Sequence, residues 1–432
     1  MSRLLVAGGR VVDPSQELDA RLDVLLKDGV VERLGEGLRV RDAKRIDAKG
    51  LVVCPGFIDL HTHLREPGRE DKETIATGTR AAAAGGFTAV CAMPNTHPVN
   101  DSAGITRSIL EKARAEGVVR VYPIGAITRG QQGAELAEYG DLQEAGCVAV
   151  SDDGKPVASA RVMRRALEYA RGFGLVVIDH CEEPTLAEQA CMNEGPVSTR
   201  LGLRGAPAAG EAIMVERDVL LAELTGGRVH IAHLSAAASV DAVRRGKARG
   251  VLVTAEVTPH HLFLTDAAVS EAAYDTNTKM NPPLRSEADR RAVLEGLRDG
   301  TIDCIATDHA PHTGDDKNVE YDQAAFGIVG LETAVPLCLD RLVGADVVTL
   351  PQLVALLSTR PARVLGLPGG TLVPGSPADL TLLDLARRRA VDPGRFESRS
   401  RNTPFAGWTL RGWPAMTIVG GRVVWQDGKS TK

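Results

Sequence analysis

The chain has 432 residues, with 51 Lys and Arg against 56 Asp and Glu, which gives a formal net charge of −5. A chain of this length can bury a large apolar core, and its mild negative charge gives no general attraction to nucleic acid or to a membrane surface. No apolar run approaches the roughly 20 residues that span a bilayer. The seven cysteines form no C-x-x-C pair and read as small buried thiols of a reducing compartment, so we expect a cytoplasmic protein without nucleic-acid or membrane partners.

Short β-like runs, separated by glycine-rich turns, fill both ends of the chain. In residues 1–54 they include residues 4–6 and 23–26, and the Asp28-Gly29 pair is a strong hairpin signal. Residues 367–432 show the same pattern, for example at 380–383 and 417–419. Each end is too small to form a stable sheet alone. We therefore predict that the two ends pair in one small β-sandwich domain.

The middle of the chain, residues 55–366, alternates short β runs with segments rich in Ala, Leu, Arg and Glu. The candidate strands lie at residues 57–63, 88–94, 119–127, 147–152, 175–180, 228–234, 251–257 and 302–307. Eight strand–helix units are typical of a (β/α)₈ TIM barrel. A doubly wound open sheet is the alternative, but no G-x-G-x-x-G follows a strand to favour it.

Polar side chains gather at the carboxyl ends of these candidate strands. Such ends carrying His, Asp or Asn are found at residues 59–65, 93–96, 151–154, 179–182, 230–235, 258–261 and 307–312. In a closed barrel these ends converge on one mouth, where active sites are built. Packing alone does not explain this distribution, which therefore predicts a functional site at the mouth.

Histidines and aspartates at the mouth indicate a metal centre. His61 and His63 are two residues apart on the first strand, so both imidazoles can point to the same side. Strands one and eight are neighbours in a barrel, which brings Asp308 beside them. We predict that these three residues bind one metal ion.

A second ion would lie between strands five and six, which end at His180 and His233. Asp153, at the end of strand four, would bridge the two ions or lie between the two pairs of ligands. Imidazole and carboxylate ligands suit Zn²⁺, with Mn²⁺, Co²⁺ and Fe²⁺ as alternatives. The sequence thus predicts one or two Zn²⁺ ions.

Several stretches at these positions resemble the cyclic amidohydrolases and, among them, the class I dihydroorotases. The matching stretches are residues 55–65, 93–96, 281–285, 307–312 and 326–333. The resemblance covers essentially the whole chain. It implies reversible hydrolysis of the cyclic amide of (S)-dihydroorotate to N-carbamoyl-L-aspartate, in pyrimidine biosynthesis.

The resemblance also implies roles for single residues. Asp308 would be the catalytic proton carrier between a metal-activated water and the leaving ring nitrogen. The expected substrate-binding residues are Arg65, Asn95, Asn281, His312, Phe326 and Gly327. The last two would hold the ring amide through their backbone. A homo-oligomer and a complex with aspartate transcarbamoylase are the protein partners that the resemblance suggests.

The alternative enzyme is a hydantoinase- or allantoinase-like hydrolase of another cyclic ureide. Those relatives, and another dihydroorotase class, typically use a carboxylated lysine as the bridging ligand, whereas Asp153 takes that place here. This difference favours the class I dihydroorotases. A non-catalytic scaffold for a transcarbamoylase is a further alternative, against which the complete set of ligands argues.

Overall fold

The structure is a computed structural model that describes residues 3–428. Its first strands are β1 (Arg3–Asp13), β2 (Leu18–Lys27), β3 (Val30–Gly35), β4 (Lys44–Asp47) and β5 (Val52–Pro55). Asp28 and Gly29 join β2 to β3 with φ angles of 48° and 85°. Positive φ at both central residues is the geometry of a tight hairpin turn, so the hairpin predicted from Asp28-Gly29 is confirmed.

Eight parallel strands form the barrel, in the order in which they occur along the chain. They are β6 (Phe57–Thr62), β7 (Phe87–Ala92), β8 (Arg120–Gly125), β9 (Ala149–Ser151), β10 (Val176–Asp179), β13 (Val229–Ile231), β14 (Val253–Val257) and β15 (Cys304–Ile305). Two short strands between β10 and β13, β11 (Met192–Asn193) and β12 (Gly205–Ala206), form a separate sheet. A parallel bridge between Thr62 and His309 closes the barrel between its first and last strands. The predicted (β/α)₈ fold is confirmed.

The observed barrel strands are shorter than the predicted ones, mainly at their carboxyl ends. The sixth, for example, was predicted over residues 228–234 and is observed as Val229–Ile231. Past that point His233 has a φ of 31°, which a pleated strand does not allow. Of the six predicted ligands, only His61 lies within a strand, and the other five lie one to three residues beyond one.

Helices pack around the barrel and fill the loops of its mouth. They are α1 (Ile75–Ala84), α2 (Ala103–Glu116), α3 (Tyr139–Ala145), α4 (Ala160–Gly172), α5 (Pro184–Ala187), α6 (Pro196–Leu201), α7 (Ala208–Thr225), α8 (Ala237–Ala248), α9 (Pro259–Phe263), α10 (Ala267–Glu271), α11 (Glu287–Arg298), α12 (Gly314–Lys317), α13 (Leu331–Cys338), α14 (Leu350–Val354) and α15 (Arg360–Leu365). Several begin at a hydroxyl side chain that accepts from a backbone N–H of the first turn, as Thr74, Ser159 and Ser286 do. Within residues 3–428, no helix has the length and apolar character needed to cross a membrane.

The last strands, β16 (Leu380–Ala390), β17 (Thr409–Val419) and β18 (Arg422–Gln426), return to the first ones. β16 pairs with β5, with Thr381 opposite Cys54, so both ends of the chain share one mixed sheet. This sheet has its own buried core, which includes Val24, Leu380 and Ile418. The expected joining of the two terminal segments is therefore present in the fold.

Candidate active site

Four side chains from three parts of the barrel meet at one point of its mouth. Nε2 of His61 lies 3.3 Å from Oδ1 of Asp153 and 3.6 Å from Oδ1 of Asp308. Nε2 of His63 lies 3.4 Å from Oδ2 of Asp153 and 3.1 Å from Oδ1 of Asp308. All four residues are buried. The closure of the barrel brings Asp308 to the two histidines, although more than 240 positions separate them along the chain.

Two further imidazoles lie close to the same aspartate. Nδ1 of His180 and Nε2 of His233 each lie 3.5 Å from Oδ1 of Asp153, and 2.9 Å from each other. Asp153 therefore lies within 3.5 Å of all four histidines. The structure brings all six sequence-predicted ligands together.

The donor set fits a divalent cation. Nε2 of His61 and Oδ1 of Asp153 are buried, and neither has a hydrogen-bond partner among residues 3–428. Buried polar atoms nearly always have a partner, so two such atoms facing each other indicate a ligand between them. Neutral imidazoles and carboxylates are the ligands that Zn²⁺ and similar ions take in proteins.

The two aspartates are held in the charged form that binds a cation. Burial alone raises the pKa of Asp308, but the hydrogen bond with His63 and the charge of His61 outweigh burial, and the pKa lies below its usual range. The same balance holds the pKa of Asp153 well below normal, through the charge of His61 and the close approach of the other histidines. Both carboxylates are therefore ionised at neutral pH.

Each of three ligand imidazoles contacts a polar group with its other ring nitrogen. His61 Nδ1 lies 2.7 Å from Oε1 of Glu256, and His63 Nδ1 lies 2.8 Å from Oδ1 of Asn95. His180 Nε2 lies 3.2 Å from Nδ2 of Asn281, an N–H donor, and 3.8 Å from Oε2 of Glu182. Acceptors such as Glu256 and the side-chain oxygen of Asn95 orient a histidine toward a metal.

Asn95 and Asn281, expected at the substrate, thus lie against His63 and His180, two of the predicted metal ligands. Glu256 was not singled out from the sequence. Its one sequence signal is a charged residue within an apolar strand, between Ala255 and Val257, just before the polar residues of the mouth.

The remaining expected substrate residues gather at one side of the mouth. Arg65 Nη2 lies 3.3 Å from Nε2 of His312, which also lies 2.8 Å from the carbonyl oxygen of Phe326. Burial lowers the pKa of Arg65 to about 10, which leaves the guanidinium charged at neutral pH. Burial, with the charges of Arg65 and Lys72, lowers the pKa of His312 to about 2, so this imidazole is neutral. A fixed cation beside a neutral imidazole is suited to binding a carboxylate.

Gly327 is required by its surroundings. It has a φ of 107°, and a Cβ atom there would lie 2.6 Å from the Cβ of Ala310. Its N–H donates to the backbone oxygen of Lys279 at 2.9 Å. The backbone groups of Phe326 and Gly327 are therefore engaged within the chain. A cleft of about 190 Å³ opens beside Phe326 and Asn281.

Comparisons with known proteins identify the family of this chain. A family model described as dihydro-orotase-like matches residues 50–239, and one described as the amidohydrolase family matches residues 203–425. A dihydroorotase from Pelotomaculum thermopropionicum is 58% identical over 425 residues, covering 98% of this chain and 99% of that protein. A dihydroorotase from Anaeromyxobacter sp. (strain K) is 56% identical over 430 residues, covering 99% of both.

Solved structures give the same fold. An L-hydantoinase (dihydropyrimidinase) from Arthrobacter aurescens superposes with a TM-score of 0.90 at 26% identity, covering 100% of this chain and 98% of that one. A dihydropyrimidinase from Brevibacillus agri superposes with a TM-score of 0.87 at 22% identity, covering 99% of this chain and 96% of that one. The fold, the site and the full-length relatives together place this chain in the amidohydrolase family, among the dihydroorotases.

Proposed function

We propose that the protein is a dihydroorotase, which opens the cyclic amide of (S)-dihydroorotate to N-carbamoyl-L-aspartate and catalyses the reverse reaction in pyrimidine biosynthesis. The observation that carries this proposal is identity of 56–58% over almost the whole length of proteins named dihydroorotase. The cluster of His61, His63, Asp153 and Asp308 supplies a site at which such a hydrolysis can occur.

The family is metal-dependent, and we propose one or two Zn²⁺ ions here. One ion would be held by His61, His63, Asp153 and Asp308. A second would be held by Asp153, His180 and His233. When bound, such an ion polarises an amide carbonyl and lowers the pKa of a water molecule.

Asp308 is the proposed proton carrier. Its Oδ1 lies 3.6 Å from Nε2 of His61 and 3.1 Å from Nε2 of His63, beside the atoms that would hold the first ion. An ionised carboxylate there can accept a proton and pass it to the leaving ring nitrogen. The reverse reaction uses the same group, because each step retraces the forward path.

Arg65 and His312 would bind the carboxylate of dihydroorotate. Arg65 offers a planar fork of N–H donors, which matches a carboxylate. Lys72 Nζ lies 3.2 Å from Nδ1 of His312 and adds positive charge on this side of the mouth. Asn95 and Asn281 remain proposed substrate residues, which would leave or share their contacts with His63 and His180. Phe326 and Gly327 would likewise offer backbone groups to the ring amide.

The experiment compares substrates on metal-loaded protein. Dihydroorotate, allantoin and a 5-substituted hydantoin are offered in parallel, and the metal content is measured on the same sample. We expect turnover of dihydroorotate alone, and its loss after chelation. A hydantoin or allantoin as the preferred substrate would overturn the proposal in favour of the hydantoinase-like alternative, to which the similarity with the Arthrobacter enzyme points.

Further proposals concern the setting of the enzyme. All seven cysteines lie buried without a disulfide, which suits a reducing compartment such as the cytoplasm.

We also propose a homo-oligomer and contact with an aspartate transcarbamoylase, to be tested by size-exclusion chromatography with and without that partner. The proposed domain boundaries are 1–54 and 367–432 for the β domain and 55–366 for the barrel.

A further inference from the structure

We propose that Glu256 is a positioning residue of the metal centre: its carboxylate holds the His61 imidazole with Nδ1 protonated and so directs the free Nε2 toward the cation. The inference rests on the proposed metal centre, but not on the identity of the substrate. Glu256 touches no expected substrate residue, and would act only through His61.

The contact between Glu256 and His61 fixes which ring nitrogen carries the proton. Oε1 of Glu256 lies 2.7 Å from Nδ1 of His61, and both side chains are fully buried. An ionised carboxylate only accepts hydrogen bonds, so Nδ1 donates to Glu256 and Nε2 is the nitrogen left to face the cation. Nε2 lies 3.3 Å from Oδ1 of Asp153. Neither of these two atoms has a hydrogen-bond partner among residues 3–428, and a cation between them would satisfy both.

The carboxylate is itself held from a second direction. Oε2 of Glu256 lies 3.2 Å from Nε2 of His230, whose Nδ1 lies 2.8 Å from Oγ1 of Thr254. The backbone N–H of His233 donates to Oε1 at 3.4 Å. Glu256 thus contacts a ligand of the first proposed ion and the backbone of a ligand of the second. Its position is set by neighbours on more than one strand.

Packing does not account for a carboxylate at this position. Along β14, Val253, Ala255 and Val257 belong to the apolar layer between the barrel and the helices. Side chains alternate along a strand, so Thr254 and Glu256 face the barrel interior. A buried charge contributes little to stability compared with an apolar side chain of similar size. The contact with His61 explains why a carboxylate occupies this position.

The test uses two substitutions and one control. Glu256→Gln keeps the shape but removes the charge, and Glu256→Leu removes the hydrogen bond as well. The control is Asp13→Asn in the β domain, a buried carboxylate that accepts from the backbone N–H groups of Ser15 and Leu372, outside the barrel. For each protein, the affinity for Zn²⁺ is measured by competition with a chelator, and folding is checked by circular dichroism.

We expect Zn²⁺ affinity to fall about 10- to 100-fold in Glu256→Gln, to fall further in Glu256→Leu, and to stay unchanged in Asp13→Asn. Nitrogen NMR of the wild-type imidazoles adds a measurement that needs no variant of Glu256, with the His61 signal assigned by its absence in His61→Gln. The Zn²⁺-loaded wild type should show His61 protonated on Nδ1 and bound to the metal through Nε2.

Two results would overturn the inference. One is a His61 bound to Zn²⁺ through Nδ1 in the loaded wild type. The other is wild-type Zn²⁺ affinity in folded Glu256→Gln or Glu256→Leu. Failure of the proposed function looks different, because a protein that ignores dihydroorotate would still bind Zn²⁺ through His61 and still lose affinity when Glu256 is replaced.

Discussion

Three residues of the mouth have backbone conformations that their side chains disfavour. Arg65, His233 and Asp308 have φ angles of 63°, 31° and 48°, in the left-handed region that mainly glycine and asparagine adopt. Each costs of order 1–3 kcal/mol, which the surrounding barrel must offset. All three lie directly after a barrel strand, where the chain turns to aim a side chain at the centre. The strained backbone at these three residues is therefore part of what positions their side chains at the mouth.

Replacing Asp308 by asparagine should separate metal binding from proton transfer. Asn keeps an oxygen that can face a cation, but its amide cannot accept a proton at neutral pH. We expect kcat to fall at least ~100-fold while the metal content stays near wild type. The control is Asp315→Asn, at an exposed aspartate of the nearby helix α12. Near-normal turnover in Asp308→Asn would remove this residue as the proton carrier.

Arg65→Lys should weaken substrate binding. The lysine keeps a positive charge but loses the planar fork that matches a carboxylate, so we expect KM for dihydroorotate to rise roughly 10-fold, equivalent to about 1.4 kcal/mol. Steady-state kinetics and metal analysis measure this on the same protein. Arg69→Lys, at an exposed position of the same loop, should leave KM unchanged. A collapse of metal content would instead make Arg65 structural.

At the scale of elements, the segment after β15 covers one side of the mouth and is held by a buried lysine. Nζ of Lys317, at the end of α12, donates to the backbone oxygens of Ala325 at 2.6 Å and Thr276 at 3.1 Å. These bonds tie both ends of the segment 317–325 to the segment between α10 and α11. The position of Phe326 and Gly327 therefore depends on a buried amine.

Lys317 should make stability depend on pH. Burial lowers its pKa to about 7 in the folded protein, whereas the unfolded chain keeps a value near 10.4. Between these values the unfolded state binds more protons, so stability rises with pH from about 7 to 10. We expect Lys317→Met to flatten this rise by about 1–3 kcal/mol in urea unfolding. Lys44→Met, at an exposed position on β4, should keep the wild-type slope. An unchanged slope in Lys317→Met would contradict the assignment.

At the scale of the whole molecule, the β domain is fixed to the bottom and side of the barrel by polar contacts. Asp379, just before β16, accepts from Nε and Nη2 of Arg120 on β8 at 2.6 and 3.1 Å. It also accepts from the backbone N–H of Gly420 at 2.7 Å. Thr417 Oγ1 donates to the backbone oxygen of Ala83 at the end of α1. These bonds join residues from distant parts of the chain into one assembly.

Removing the carboxylate of Asp379 should loosen this assembly. We expect Asp379→Ala to lower the free energy of unfolding by about 1–3 kcal/mol, because Arg120 and the Gly420 N–H lose their acceptor. Kinetic constants should stay near wild type, since Asp379 lies outside the mouth. Asp19→Ala breaks an exposed ion pair with Arg10 and should cost at most about 1 kcal/mol. Equal losses in the two variants would show that the Arg120 contact adds nothing specific.

The sequence by itself determined the succession of strands and the residue types at the mouth. Strand and helix periodicity depends on neighbouring residues, so eight β runs could be predicted from the sequence. The His-x-His spacing likewise predicted that His61 and His63 lie on one side of their strand. Their meeting with Asp308 could also be predicted, because a closed barrel has only one pair of strands left to join.

The tertiary structure alone decided which side chain contacts the second ring nitrogen of each predicted ligand histidine. The contact of His61 with Glu256 joins positions 195 residues apart, and a one-residue change of register would have turned Glu256 toward the helices. The contacts of Asn95 and Asn281 with imidazoles depend likewise on how loops turn after their strands. Periodicity reports the face that a side chain takes, whereas its partner depends on register and rotamer, which are settled only when distant strands pack together.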